Sequence, residues 1–283
     1  MKFCLIPLIL VCFVVCCSDT KYKTTIIKTE RFNIESKFVK DSFDIHITFP
    51  LGYDTSSRSF PVIYYMDANL KSGNKLREIV DQYAATDSAI PAILVGVGHF
   101  SNYRELRRRD LITPFVETEK DSLISDETNF GHSEDFYLFL KNELVPRIES
   151  KYKASAKDRT FIGHSLGGLF AFYCLFKKDR LFTTHISLSP ALWINYGNIY
   201  QFEKKYRKDS LSLHARMYLC VGGRERFNYI LSGGRKMNQF LTEQPYTGLD
   251  FTYKEFDGET HNSEVPLALK MILPKLYVKS SGD

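Results

Sequence analysis

From Thr29 to Ile34, and again from Phe43 to Phe49, apolar and polar residues alternate with the period of a strand that buries one face. These segments predict two antiparallel strands at a sheet edge. Farther on the pattern changes, because Phe60 to Met66 and Ala92 to Val97 are nearly continuous apolar runs. Runs of that kind belong to strands covered on both faces of a parallel sheet. Pro50-Leu51-Gly52-Tyr53-Asp54 marks a turn before the first of them, and Leu76 to Ala85 reads as a helix between the two. From Ser133 to Tyr152, helical spacing of Phe136, Phe139, Leu140, Leu144, Ile148 and Tyr152 predicts a long helix, with Glu134 and Asp135 in its first turn. Arg159 to Ile162, His185 to Leu188, Met217 to Val221 and Phe251 to Phe256 read as further strands separated by helical patterns. Strands alternating with helices predict an α/β fold, a mostly parallel twisted sheet with helices on both faces joined by right-handed crossovers. The charged stretch Arg104, Arg107, Arg108, Arg109 and Asp110 reads as a loop.

One hexapeptide organises this order. Gly163-His164-Ser165-Leu166-Gly167-Gly168 contains G-x-S-x-G between a compact strand and an almost wholly apolar helix, Leu166 to Phe176. A serine on a sharp strand-to-helix turn needs neighbours without a Cβ, so side chains at Gly163 or Gly167 are expected to clash. Ser165 is the candidate nucleophile. Serine is a poor nucleophile at its free pKa and needs an imidazole to take its proton and return it to the leaving alcohol. His261 lies just past the last strand in Asp257-Gly258-Glu259-Thr260-His261-Asn262, which makes it the candidate base ahead of His99, His132, His164 and His185. The acid is expected after the strand Met217 to Val221, where Glu225 follows Gly222-Gly223-Arg224. Asp257 and Glu259 are substitutes, a Ser-His dyad is a further option, and the bland alternative has Glu225 paired with Arg224 or Arg226. For the oxyanion, two backbone N–H donors are needed: Leu166, and either Ala68 or Asn69 after the strand ending at Met66.

Composition narrows the function classes. With Lys2 set aside, 37 basic residues face 33 acidic ones. That mild excess speaks against a dedicated nucleic-acid binder, whose basic stripe is usually stronger. No Cys/His cluster has metal-ligand spacing. Lys2 followed by the uncharged stretch Phe3 to Cys17 reads as a secretory signal, too short for a permanent span. Its end, Val14-Val15-Cys16-Cys17-Ser18-Asp19, resembles a bacterial lipobox with Cys17 as the lipidated residue and Cys16 as the alternative. The expectation is a lipoprotein-type signal over residues 1–17 and a single domain over 18–283, anchored at the cell envelope or simply secreted. Cys174 and Cys220, in apolar elements, are expected to be small buried hydrophobes.

The segments Tyr64-Tyr65-Met66-Asp67, Arg108-Arg109-Asp110-Leu111-Ile112-Thr113-Pro114, Phe139 to Glu149, Gly163 to Gly168, Ser187-Leu188-Ser189-Pro190 and Glu259-Thr260-His261 resemble, in order, the esterase D and ferric-siderophore (enterochelin) esterase group of α/β-hydrolases. The resemblance spans about residues 30 to 278 and departs at Ala68, where glycine is usual. It implies a cofactor-free serine esterase acting on small-molecule esters such as siderophore trilactones, feruloyl or acetyl sugar esters, or thioesters. A cationic and aromatic mouth from Arg107, Arg108 and Trp193, flanked by Arg104, Tyr196 and Tyr200, is expected to favour an anionic catecholate. The rival readings are an envelope carbohydrate esterase, a non-catalytic siderophore- or glycan-binding lipoprotein of the same fold, and an acyltransferase using the same acyl-enzyme.

Overall fold

A computed structural model describes residues 28–84, 91–115 and 130–277. Residues 1–17 and Cys17 lie outside them. Among the described residues the order is β1 (Thr29–Ser36), β2 (Asp41–Thr48), β3 (Phe60–Met66), α1 (Lys71–Ala84), β4 (Ile93–His99), α2 (Tyr103–Leu111) and α3 (Ser133–Phe139). A π-helical segment, Leu140–Leu144, joins α3 to α4 (Val145–Lys151). Then come β5 (Ala154–His164), α5 (Leu166–Leu175), β6 (Thr184–Leu188), α6 (Ile194–Gly197), α7 (Ile199–Asp209), β7 (Ser212–Gly222), α8 (Asn228–Glu243), β8 (Thr247–Phe256) and α9 (Glu264–Tyr277).

The strands form one sheet in the order β1-β2-β4-β3-β5-β6-β7-β8. β1 with β2 and β2 with β4 are antiparallel, and the remaining pairs are parallel. This is the mostly parallel α/β sheet that the alternating patterns predict, in the α/β-hydrolase arrangement that the resemblance implies. Because successive side chains point to opposite faces, one strand feeds two cores. Val62, Tyr64 and Met66 join the larger core with α5 and the α3–α4 rod, whereas Ile63 and Tyr65 face α1 and α9. The apolar helix α5 is buried nearly all round between the sheet and its neighbours, which explains why its sequence lacks a polar stripe. Cys174 and Cys220 are buried within these cores.

Two expectations about elements are corrected. The segment Ser133 to Tyr152 is not one uniform α-helix, because Pro146 lacks the N–H that a regular ladder needs and a π-helical segment precedes it. The arginine-rich stretch is not a loop but the helix α2, whose Asp110 and Leu111 are buried.

Candidate active site

Ser165 stands between β5 and α5 at φ 59° and ψ −112°, a conformation costly for any residue with a Cβ. Its surroundings hold it there. The Ser165 N–H donates to the Leu188 carbonyl at 2.9 Å, and the Ser165 carbonyl accepts from the Leu169 and Ala191 N–H groups at 3.1 Å. Gly163 makes the bend possible, since a Cβ there would lie 2.0 Å from the Gly167 carbonyl oxygen. The expected crowding at Gly167 is absent: a Cβ there would meet only Met66 at 3.8 Å, whereas Gly168 is closed by Pro190 at 2.9 Å.

The loop between β8 and α9 brings His261 to the same place. His261 Nδ1 lies 3.0 Å from Glu225 Oε2, and the side chain of Glu225 is wholly buried. Glu225 Oε1 accepts a hydrogen bond from Ser189 Oγ at 2.5 Å. The acid and histidine loops are stapled through the backbone, with Arg224 N–H donating to the Glu259 carbonyl at 2.7 Å and Gly223 N–H to the Phe256 carbonyl at 2.8 Å. The His164 imidazole, which burial pushes down to about 3, is neutral and donates Nε2–H to the His261 carbonyl at 2.7 Å. With Nδ1 on Glu225, His261 has Nε2 left for the cavity of about 500 Å³ that it lines together with Ser165. Asp257 and Glu259 make no hydrogen bond to His261 among the described residues. Glu225 does not pair with Arg224 or Arg226.

The N–H of Leu166 opens α5, where first-turn donors have no partner in the helix. Ala68 does not supply the second donor, because its N–H is already given to the Val97 carbonyl at 3.2 Å. Asn69 is left. Its N–H has no acceptor among the described residues, and its side chain is tied down by Nδ2 donating to the His99 carbonyl. The loop is braced from below. Asp67 sits at φ 67° and accepts Arg107 Nε at 2.6 Å, while a Cβ on Gly73 of α1 would fall 2.3 Å from the Asp67 carbonyl oxygen.

That brace corrects the reading of Arg107 and Arg108 as substrate contacts. Arg107 is largely buried, with its guanidinium on Asp67 and, at 3.4 Å, on the His164 carbonyl. Arg108 lies over the Phe130 ring at 3.7 Å from its centroid. Neither lines the cavity. Arg109 bonds Asp110, whose buried carboxylate also accepts His99 Nε2 at 2.8 Å. The cations that do line it are Arg224 and Arg226, both exposed and without a carboxylate partner among the described residues. Trp193 also lines it, as do Phe227 and Tyr229. Trp193 meets Tyr229 with ring centroids 4.5 Å apart, and Tyr229 stacks on Phe227 at 5.1 Å. The signal for these groups was the run Arg224-Glu225-Arg226-Phe227-Asn228-Tyr229, basic and aromatic residues interleaved right after the acid-bearing strand.

Residues 36–264 match the model of a family described as putative esterase. Ferri-bacillibactin esterase BesA of Bacillus subtilis (strain 168) is 28% identical over 226 residues, covering 76% of this chain and 78% of that protein. The crystal structure of BES protein from Bacillus cereus superposes with a TM-score of 0.74 at 29% identity, over 89% of this chain and 97% of that one. Siderophore hydrolase EstA from Aspergillus nidulans shares the fold at 22% identity, TM-score 0.74, over 88% and 94% of the two chains.

Proposed function

The chain belongs to the putative-esterase family and is an ester hydrolase, and we propose that it forms an acyl-enzyme on Ser165 with siderophore trilactone esters as its substrates. The observation that carries the catalytic reading is the 3.0 Å contact of His261 Nδ1 with buried Glu225 in a cavity shared with Ser165. In this reading His261 Nε2 takes the Ser165 proton as Oγ attacks the ester carbonyl, and the backbone N–H groups of Leu166 and Asn69 receive the oxyanion. The imidazolium then protonates the leaving alkoxide. Water, activated by the same imidazole, hydrolyses the acyl-enzyme and restores Ser165. Glu225 keeps the imidazole in one tautomer and offsets its charge.

The substrate reading is supported by Arg224 and Arg226 beside Trp193, Phe227 and Tyr229, which offer charge and flat rings to an anionic catecholate. The BesA relative is named for a ferric siderophore ester. A feruloylated or acetylated sugar is the second reading, favoured by the Trp193–Tyr229 pair at the cavity rim. The two separate by charge. kcat/KM for a ferric catecholate trilactone is expected to exceed that for sugar esters and to fall with ionic strength. Higher rates on the sugar esters at both low and high salt overturn the siderophore reading. Fluorophosphonate labelling that survives Ser165→Ala overturns the nucleophile. A lipid anchor on Cys17 belongs to the same proposal, and loss of fatty-acid label in Cys17→Ala tests it.

A further inference from the structure

The cavity that holds Ser165 has a neighbour. Trp193 and Tyr229, which line the first, also line a second cavity of about 310 Å³, so the pair stands between two spaces. One side of the second space is a face of α8. Tyr229, Ser232, Gly233 and Lys236 recur at i, i+3, i+4 and i+7, and the two small residues between the large ones leave the hollow. The other side is the segment from Leu192 to Tyr200. The two sides are joined where the Tyr200 hydroxyl donates to the Gly233 carbonyl at 3.4 Å.

That segment is held in an unusual backbone. Asn195 and Tyr196 stand at φ 51° and 53°, followed by Gly197 at 74°. Asparagine and glycine take the left-handed region readily, but a bulky tyrosine seldom does. Such backbone persists only where its surroundings over-determine it. Here Asn195 Nδ2 donates to the Thr113 carbonyl at 2.8 Å, Asn198 Nδ2 to the Pro114 carbonyl at 2.9 Å, and Thr113 Oγ1 to Asn198 Oδ1. Thr113 and Asn198 are almost wholly buried. The result is a strained Tyr196 left 70% exposed at the second cavity. Lys236 adds a charge there. Its ammonium lies 4.8 Å from the Tyr200 ring centroid and has no carboxylate partner among the described residues.

We propose that the second cavity is a subsite for a second catecholate arm of the ester whose first arm occupies the Ser165 cavity. This rests on the siderophore reading above. A trilactone repeats one arm-bearing unit around its ring, so an ester bond seated at Ser165 has an identical arm one unit away. Trp193 and Tyr229 then stand between the two arms, Tyr196 and Tyr200 offer rings to the outer one, and Lys236 attracts its negative charge. Because the arms are tethered, entry of the second is intramolecular, and a weak contact adds to the affinity of the whole. The chemistry at Ser165 is unchanged.

The test uses two iron-free esters, since a ferric ion would hold the catecholates together on itself. Both carry a dihydroxybenzoyl-serine acyl group; the alcohol is N-acetylserine methyl ester in the one-arm compound and dihydroxybenzoyl-serine methyl ester in the two-arm compound. For the full chain, kcat/KM is expected to be roughly tenfold higher for the two-arm ester, through KM rather than kcat. Ser232→Tyr fills the second cavity from an exposed position on α8. It should bring the two esters to within about twofold of each other while sparing the one-arm ester and p-nitrophenyl acetate. Lys236→Gln should cost the two-arm ester about threefold at low salt and nothing at high salt. Trp193 and Tyr229 are left unchanged because they serve both cavities. Trp193 is also the chain's single tryptophan, so its fluorescence reads binding without turnover. In Ser165→Ala protein the two-arm ester should half-saturate that signal at roughly a tenth of the one-arm concentration, and adding Ser232→Tyr should erase the difference. Equal rates and affinities for the two esters in the unaltered cavity, or a two-arm advantage that survives Ser232→Tyr, overturn the subsite while catecholate esters still outrun sugar esters. Sugar esters outrunning both would overturn the siderophore reading itself, and the subsite with it.

Discussion

Two arginine-bearing segments flank Ser165, and they do opposite things with the same side chain. In α2, Arg107 and Arg109 turn inward onto Asp67, Asp110 and Asp41 and give up their charge to the scaffold. After β7, Arg224 and Arg226 stand exposed at the cavity with no carboxylate to satisfy them. Charge density along the sequence is higher in the first segment, yet the field a ligand would meet comes from the second. A cation neutralised by a buried partner positions backbone, whereas an unpaired one at a cavity mouth attracts.

The sharpest break of this comparison comes from the buried acid between the two arginines of the second segment. Glu225→Gln leaves the shape intact but offers His261 Nδ1 the wrong partner, and kcat is expected to drop by about 10⁴ if the triad works as a unit. A loss below about tenfold in steady-state turnover would assign the acid's role elsewhere. Next comes Arg107→Gln, which strands the Asp67 carboxylate under the Asn69 turn. Removing one partner of a buried pair costs about 3–5 kcal/mol, and a misplaced oxyanion donor costs about 10²-fold in rate. Tm and kcat should therefore fall together for neutral and anionic esters alike. Equal Tm with a loss confined to anionic substrates would restore Arg107 to the substrate side. Smaller and more selective is the double change Arg224→Gln and Arg226→Gln. It should lower kcat/KM for a catecholate trilactone roughly tenfold at low salt, flatten its salt dependence, and spare p-nitrophenyl acetate. Smallest is Trp193→Ala, expected to raise KM a few-fold for aryl and sugar esters with little change in kcat, in line with about 1 kcal/mol for an aromatic contact. Steady-state kinetics on matched aryl and alkyl esters measures it.

The sequence made the order of elements legible because hydrophobic period follows directly from which faces are buried. Ser165 was legible because Gly163 before it answers to a backbone bend, and His261 because chain order alone puts it at the right end of the sheet. What stayed hidden depended on where a polar group finds its partner. Nothing in Asp67-Ala68-Asn69 tells which N–H the sheet consumes, and only the Ala68 contact with Val97 leaves Asn69 as the free donor. Nothing in the string of arginines distinguishes those that fold back onto Asp67 and Asp110 from those that face the cavity. Glu264 looks in sequence like an ordinary acidic residue at a helix start, and only its complete burial sets it apart.

His164 is the variable letter of the G-x-S-x-G pattern, yet its imidazole reaches across 97 positions of sequence to the carbonyl of His261. That bond ties the elbow to the His261 loop. Opening either one breaks that bond, so their amides should exchange with solvent at a common rate, slower than the exposed 226–229 rim beside them. Replacing His164 by an apolar residue of similar size would split that rate in two, and the loop would breathe on its own.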